Sequence, residues 1–272
     1  MSDYKLSNSQ MILQAKNISR VYKSSTPYTH KVFSGLNLEV KKGEFVTIIG
    51  KSGCGKSTLL NIIAGLDRSY SGELIIDDNP HLERPDRILI FQENSLFPWL
   101  NVVQNIEFGL KQANIPKKLR TETAMNYLEM VGLSDFAHSN IHELSGGMRQ
   151  RVSIARALSL DPRILLMDEP FAALDTSTRQ SLQNELLRIH KQTRKTILFV
   201  THNIEEAVLL GDRVILLSNS TGQIKKEFVI NNPRPRDINN RSLREIVSEA
   251  LDELRENHYP DKNQEYANTI SI

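Results

Sequence analysis

Residues 45–58 read FVTIIGKSGCGKST, and the reading of this stretch decides the fold. Phe45 to Ile49 is a short apolar run, as expected of a strand covered on both faces. Residues 50–57, GKSGCGKS, match the pattern G-x-x-x-x-G-K-S/T, and Ser57 to Ala64 continues with helical spacing. Glycines at 50, 53 and 55 let the backbone curl so that successive N–H groups point inward, and the start of the helix adds the positive end of its dipole. Such a cradle suits phosphate oxygens. Lys56 would reach the β- and γ-phosphates of a nucleotide as a point charge. The Ser57 hydroxyl would ligate Mg²⁺, and Thr58 with its N–H would lie near the α-phosphate. The loop as a whole, Gly50, Lys51, Ser52, Gly53, Cys54, Gly55, Lys56, Ser57 and Thr58, is therefore the candidate site for Mg-ATP. A tight glycine turn that binds nothing is the plain alternative; strand, loop and helix in register weigh against it.

Outward from this loop, Met11 to Val21 and Leu36 to Val40 alternate apolar and polar residues, which predicts half-buried strands, with SSTPYTH (24–30) as a turn or loop between them. Buried strands are predicted at Arg87 to Phe91, Arg163 to Met167, Thr196 to Val200 and Val214 to Leu217. Helical patterns separate several of them; Leu182, Leu186 and Ile189 share one face after Thr176. This alternation predicts an α/β fold with a mainly parallel sheet. One interval breaks the rhythm. From about Leu96 to Leu160 the pattern is mostly helical, with Tyr127, Leu128 and Val131 on one face. That is too long for a single crossover and predicts a helical subdomain inserted into the α/β core. Ser242 to Glu256 is another amphipathic helix, with Leu243, Ile246, Val247, Ala250, Leu251 and Leu254 at helical spacing. The expected plan is a disordered leader at 1–10, a body at 11–235 with its helical subdomain at about 96–160, and a helical tail at 236–272.

Composition narrows the function classes. A chain of 272 residues buries one substantial core, or one core with a smaller lobe. The net charge of +2 gives no strongly basic face, so nucleic acid is not an expected partner. The single cysteine, Cys54, excludes an intramolecular disulfide and fits a reducing compartment. No apolar run approaches the roughly 20 residues that cross a bilayer, so in any membrane role another chain makes the crossing. The first ten residues, MSDYKLSNSQ, are polar and do not read as a secretory signal.

A second cluster of chemistry lies in ILLMDEP (164–170). An apolar strand delivers Asp168 and Glu169 at its carboxyl end, where open α/β sheets bind ligands. Asp168 would hold Mg²⁺ through water or from the Ser57 side, and Glu169 would polarise an attacking water as general base. Alone, an acidic pair after a strand is more often a helix-start charge; beside a phosphate loop the balance reverses. His202 ends the strand KTILFVTH and Gln92 ends ILIFQ, so both would approach the γ-phosphate or the metal from the same sheet edge. Each is a weak signal by itself. Cys54 carries two readings: a thiolate favoured by the helix start and Lys56, or a small side chain that fills space.

With these pieces in order, LSGGMRQR at 144–151 gives the chain a specific resemblance to the ATP-binding subunits of ABC transporters, covering about residues 11–235. Ser145 also reads as the N-cap of the helix through Leu158, which is compatible with a second anion site at that helix start. The resemblance implies a P-loop NTPase (RecA-like) core, with an N-terminal antiparallel β subdomain beside the mainly parallel sheet. It implies that two such subunits, identical or related, pair head to tail around two ATP molecules. Ser145, Gly146 and Gly147 of one would then touch the γ-phosphate held by the other's loop. It implies ATP hydrolysis with Glu169 as base, His202 on the γ-phosphate, Gln92 at the metal, Asp175 of ALD (173–175) at the dimer interface, and Tyr22 stacked on adenine. Tyr28 lies close by, and an aromatic in this region also serves simple packing.

The stretch FQENSLFPWLNVVQNIEFGL (91–110) narrows the resemblance. Leu96, Phe97, Pro98, Trp99 and Leu100 form an apolar patch that packs the helical subdomain, serves as a socket for another protein, or both. In ABC importers this region receives a short coupling helix from the permease. Together with RPRD (234–237), the wording is similar to the group serving nitrate, bicarbonate, cyanate, sulfonate and taurine uptake. That implies a separate integral membrane permease contacting the Gln92–Trp99 region, a periplasmic or lipid-anchored solute-binding protein, and a peripheral place on the cytoplasmic face of the plasma (inner) membrane. The ATPase subunit of a split exporter is the alternative. The short tail argues against the sugar-importer branch with its large C-terminal β-domain.

Overall fold

Short apolar segments make the centre of the molecule because both their faces find cover. In the computed structural model, described for residues 11–23, 29–77, 85–92, 95–218 and 222–255, the strands are β1 (Met11–Lys23), β2 (Thr29–Lys41), β3 (Phe45–Ile49), β4 (Ser71–Ile76), β5 (Arg87–Ile90), β6 (Ile164–Asp168), β7 (Thr196–Val200), β8 (Arg213–Leu217) and β9 (Ile224–Val229). The helices are α1 (Lys56–Ala64), α2 (Val102–Gln112), α3 (Lys117–Met130), α4 (Gly146–Ser159), α5 (Thr176–Thr193), α6 (Ile204–Leu210) and α7 (Arg241–Arg255). Six strands form the main sheet in the order β5-β6-β7-β3-β8-β9, parallel except for the antiparallel β8–β9 pair. A second sheet of three antiparallel strands runs β2-β1-β4.

Strand alternation sorts the core into layers. Ile48, Leu166, Leu198 and Val200 face α1 and the antiparallel sheet, meeting Leu59, Leu60, Ile63, Ile18 and Phe33. Phe45, Leu165, Met167, Ile197 and Phe199 face the other way, toward α2 to α5. The region read as a helical subdomain is α2, α3 and α4 packed on one another. Its interior is continuous with this sheet face, since Ile106, Leu128 and Leu158 share one cluster with Leu165 and Phe199.

Three local expectations change. β2 begins at Thr29, so the last two residues of the SSTPYTH loop are strand; residues 24–28, with Tyr28, and the leader at 1–10 lie outside the described residues. β4 and β9 carry no clear alternation that the sequence reading used; β4 is half exposed and β9 is a lysine-rich edge. The tail helix α7 packs on the body. Leu243 and Ala250 are buried against Ile204, Ala207, Val208, Val214 and Phe228. Lys226 joins β9 to α7 through Glu249 at 2.6 Å and Glu253 at 2.8 Å.

Candidate functional site

The ends of four adjacent strands set the site. Ile48, Val200 and Asp168 are register partners across β3, β7 and β6, and Ile90 of β5 pairs with Met167. The chain therefore leaves the carboxyl edge of the sheet at one level into Gly50, His202, Glu169 and Gln92. This is where a parallel sheet presents ligand-binding groups.

The loop from Gly50 ends in α1, whose N-cap is Gly55 with φ 101° and no side-chain cap. A Cβ at Gly55 would come within 2.5 Å of Val32, so both the dihedral and the close approach require glycine. The first-turn N–H groups of α1 thus lack a protein acceptor from a capping side chain, and no acidic residue sits in that turn. Such a helix start suits an anion. Lys56 is buried, and its ammonium donates to Gly50 O at 2.8 Å and Lys51 O at 3.1 Å. An ammonium has three donors, so these bonds fix the loop and leave one for a phosphate oxygen.

Asp168 accepts a hydrogen bond from the Ser57 hydroxyl. Burial pushes its carboxyl above the usual range; Ser57 and Lys56 pull it back, and the neighbouring Glu169 charge raises it further. Among the described residues no cluster of three or more His, Cys, Asp or Glu forms a metal cage. One hydroxyl beside one carboxylate is the sparse hard-oxygen set that suits Mg²⁺ sharing its shell with phosphate and water. Glu169 takes φ 44°, a left-handed backbone that costs on the order of 1–3 kcal/mol outside glycine. Its N–H donates to Val200 O at 3.0 Å, which holds it there. The result is a carboxylate Oε2 2.9 Å from His202 Nδ1. Together these groups can grip a triphosphate, hold a divalent cation and take a proton from water.

A second patch is built on two helix starts. Ser145 caps α4, accepting from Met148 N–H at 3.2 Å. Asp175 caps α5, accepting from Thr178 N–H at 3.0 Å and Ser177 O–H at 2.6 Å, and these bonds hold its carboxyl far below the usual range. The two starts touch: a Cβ on Gly146 would lie 3.5 Å from Leu174, and one on Gly147 only 2.4 Å from the Thr178 methyl. This patch stands on α4 and α5, not on the strand ends that carry the loop.

The family model described as ABC transporter matches residues 33–172. The chain belongs to the ABC transporter family of ATP-binding proteins. It is 44% identical to an aliphatic sulfonates import ATP-binding protein of Bacillus cereus, over 90% of this chain and 96% of that one. It is 45% identical to an uncharacterised ABC transporter ATP-binding protein of Methanocaldococcus jannaschii, over 90% of this chain and 91% of that one. A solved ATP-binding cassette, a dimer in a post-hydrolysis state bound to ADP and Pi, superposes with a TM-score of 0.71 at 34% identity, covering 82% of this chain and all of that one. The fold is thus the ABC cassette, and the chain is an ATP-binding ATPase of that family. No described helix is long and apolar enough to cross a membrane.

In this cassette the remaining expected residues fall in three places. Tyr22 is 40% exposed on β1; the Arg20 guanidinium lies 4.0 Å over its ring and its hydroxyl donates to Asp67 at 3.2 Å. One ring face is thereby occupied by the guanidinium. Cys54 is buried, and its sulfur packs so closely over Gly50 that a Cβ there would come within 2.6 Å. Burial pushes the thiol up in spite of Lys56. The reading of a favoured thiolate is therefore corrected: Cys54 fills space in the core.

Beside Gln92, the patch divides. Leu96 is buried, Phe97 stacks between Trp99 and Phe108 at centroid distances of 5.4 and 4.5 Å, and Trp99 remains 75% exposed. Phe97 and Phe108 line a cavity of about 350 Å³ together with Ile88, Ile90, Gly109 and Leu160. Arg156 reaches it with Nη1 on Ser95 O at 2.9 Å and its guanidinium 5.4 Å from the Phe97 ring. Sequence reading missed Arg156, because a cation within VSIARAL has no local signal for the cavity it meets. It also missed Asn203, which accepts from Glu206 N–H at 3.1 Å and caps α6 directly after His202, and Glu206, which accepts from Gln183 at 2.9 Å. Asn before an apolar-periodic run was the available helix-start signal.

Proposed function

We propose that this ATPase drives an importer for a small organic or inorganic anion of the nitrate, bicarbonate, cyanate, sulfonate and taurine group, with a sulfonate as the first choice. The observation that carries the substrate class is 44% identity, along 96% of its length, to a relative named for import of aliphatic sulfonates. The transporter would include a separate permease and a solute-binding protein, with this chain on the cytoplasmic face of the membrane. The apolar cavity under Phe97 and the exposed Trp99 supports a protein-docking role for the Gln92–Trp99 region.

In this reading the loop N–H groups and Lys56 hold the β- and γ-phosphates, and Tyr22 stacks on adenine. Ser57, Asp168 and Gln92 hold Mg²⁺, which when bound neutralises phosphate charge. Glu169 accepts a proton from the attacking water, and His202, braced by Glu169 at 2.9 Å, orients the γ-phosphate. Two copies pair head to tail, as the dimeric form of the solved cassette supports. Ser145, Gly146 and Gly147 of one copy complete the site of the other, with Asp175 at the seam. Activity then rises more than linearly with protein concentration.

The substrate class is tested by uptake of labelled ethanesulfonate in cells lacking the chain. Sulfonate uptake is expected to fall to background with sulfate uptake intact; unchanged sulfonate uptake refutes the class. Docking is tested by co-purification of the permease, expected to be lost in the Phe97→Ala/Trp99→Ala pair; retained assembly counts against the socket.

A further inference from the structure

α6 joins the catalytic edge to the end of the chain. Its N-cap, Asn203, directly follows His202, and the helix has seven residues, Ile204–Leu210. A helix this short does not hold itself together in water, so its neighbours set its position. At its start, Asn203 accepts from Glu206 N–H and donates its own N–H to Thr201 Oγ1 at 3.0 Å. At its far end the four final carbonyls have no partner within the helix. Ala207 O accepts from Gly211 N–H at 2.9 Å and Thr47 Oγ1 at 3.2 Å. The other three go to two arginines of the RPRD segment. Arg236 Nη1 donates to Val208 O at 2.8 Å and Leu209 O at 3.2 Å, and Arg234 donates to Leu210 O.

Arg236 also donates to Gly211 O at 2.5 Å, Ile230 O at 3.2 Å and Asn232 O at 2.9 Å. Its guanidinium thereby ties the end of α6 to the segment that follows β9. A cation at a helix C-terminus also opposes the negative end of the dipole. Asp212 pairs with Arg234 at 2.8 Å, whereas the hydrogen-bond acceptors of Arg236 are all backbone oxygens fixed by the fold. Lysine could not replace it, because one ammonium cannot span carbonyls on both segments with a planar fork.

We propose that Arg236 is a positioning residue for ATP hydrolysis: by pinning the C-terminal end of α6, a helix whose position its neighbours set, it helps to fix the placement of His202 against Glu169 at the other end. α6 is roughly 10 Å long at 1.5 Å per residue, so a tilt of about 6° about its C-terminal end displaces its start, beside His202, by about 1 Å. The RPRD segment is thus a brace for the catalytic edge, and the inference rests on the roles given above to Glu169 and His202.

The test compares steady-state ATP hydrolysis by the full chain with its Arg236→Ala, Arg236→Lys and His202→Ala variants, below their melting temperatures. The expected result for Arg236→Ala is a kcat at least tenfold lower, with KM for ATP within about twofold. Arg236→Lys should behave similarly, and millimolar guanidinium should restore part of the Arg236→Ala rate. A purely structural role would lower the melting temperature and the active fraction but would leave kcat per folded molecule alone. Unchanged kcat in both arginine variants, or a loss matched by the unfolded fraction, overturns the inference. If His202→Ala retains turnover, the reading of the site fails, and the inference with it. If His202→Ala loses turnover while the arginine variants keep it, only the inference fails.

Discussion

Replacing Glu169 by Gln separates proton transfer from everything else at the site. The two side chains have the same length, and the amide oxygen still accepts from His202 Nδ1 across the 2.9 Å contact. The left-handed backbone at φ 44° is equally unfavourable for both residues. Loss of the Glu169 charge relieves Asp168, whose carboxyl that charge helps to raise, so the melting temperature should be unchanged or slightly higher. What disappears, on the proposed reading, is the base. Removing a positioned general base costs a factor of about 10²–10⁴, or about 3–5.5 kcal/mol of barrier. The phosphate loop is untouched, so ATP affinity should stay within about twofold of the parent. Phosphate release measures the first quantity and equilibrium binding of a fluorescent ATP analogue the second. Size-exclusion chromatography with Mg-ATP adds a third, because a pair that binds ATP without hydrolysing it should persist as a dimer. Turnover within tenfold of the parent, with normal binding, would refute the assignment of Glu169 as base.

Gly147→Ala puts a methyl 2.4 Å from the Thr178 methyl and should destabilise the fold by about 1–3 kcal/mol in urea titrations, with Thr178→Ala recovering most of the loss. Asp168→Asn should raise stability at neutral pH while lowering Mg-dependent turnover. Burial raises the folded-state pKa above the unfolded value, so the folded chain binds more protons, and this group's contribution falls as pH rises through that range. The stability gain of the variant should therefore shrink as pH is lowered, and a constant gain would contradict the argument. Cys54 should react with iodoacetamide at pH 7 far more slowly than a free thiol, since it is buried and its pKa is raised; rapid labelling of the native chain would overturn its space-filling role. Ser145→Asp should keep the melting temperature of the parent but lose turnover, whereas Ser145→Ala should lose turnover and about 1 kcal/mol of stability.

What the sequence made legible was local chemistry with a fixed spacing. FVTIIGKSGCGKST places strand, turn and helix start within a few residues, and β3 and α1 form there within one residue of the reading. The same holds for ILLMDEP and KTILFVTH, because a five-residue strand buried on both faces leaves a run of apolar residues. Asp168, Glu169, His202 and Gln92 were each ambiguous alone, and the β5-β6-β7-β3 strand order is what brings them to one edge. That order is a long-range property with no local pattern. β4 and β9 escaped notice because neither is buried on both faces. α7 was legible as an amphipathic helix, but its partner was not. Leu243 and Ala250 meet Ala207 and Val208 some forty residues earlier, and nothing in either segment names the other. RPRD suggested a group of relatives, yet its backbone contacts to α6 become visible only once the fold brings the two together.

The helix starts bear on the proposal that two chains share one hydrolytic site. Asn101, Ser145, Asp175 and Asn203 close α2, α4, α5 and α6 with their own side chains, whereas α1 opens on Gly55 and α3 on Pro116 with none; of these two, α1 is the one that follows the glycine loop at the carboxyl edge of the sheet. A missing cap costs about 1 kcal/mol, so a phosphate at α1 supplies what the sequence leaves out there. Ser145 is different, because its Oγ already accepts from Met148 N–H. A hydroxyl that accepts still has its own proton to donate, so the cap and a phosphate bond are compatible in one group. Aspartate keeps the first property and lacks the second, and it brings a negative charge toward a triphosphate. That is why the Ser145→Asp and Ser145→Ala variants separate the helix cap from the contact across a pair: stability follows the acceptor, and turnover follows the donor.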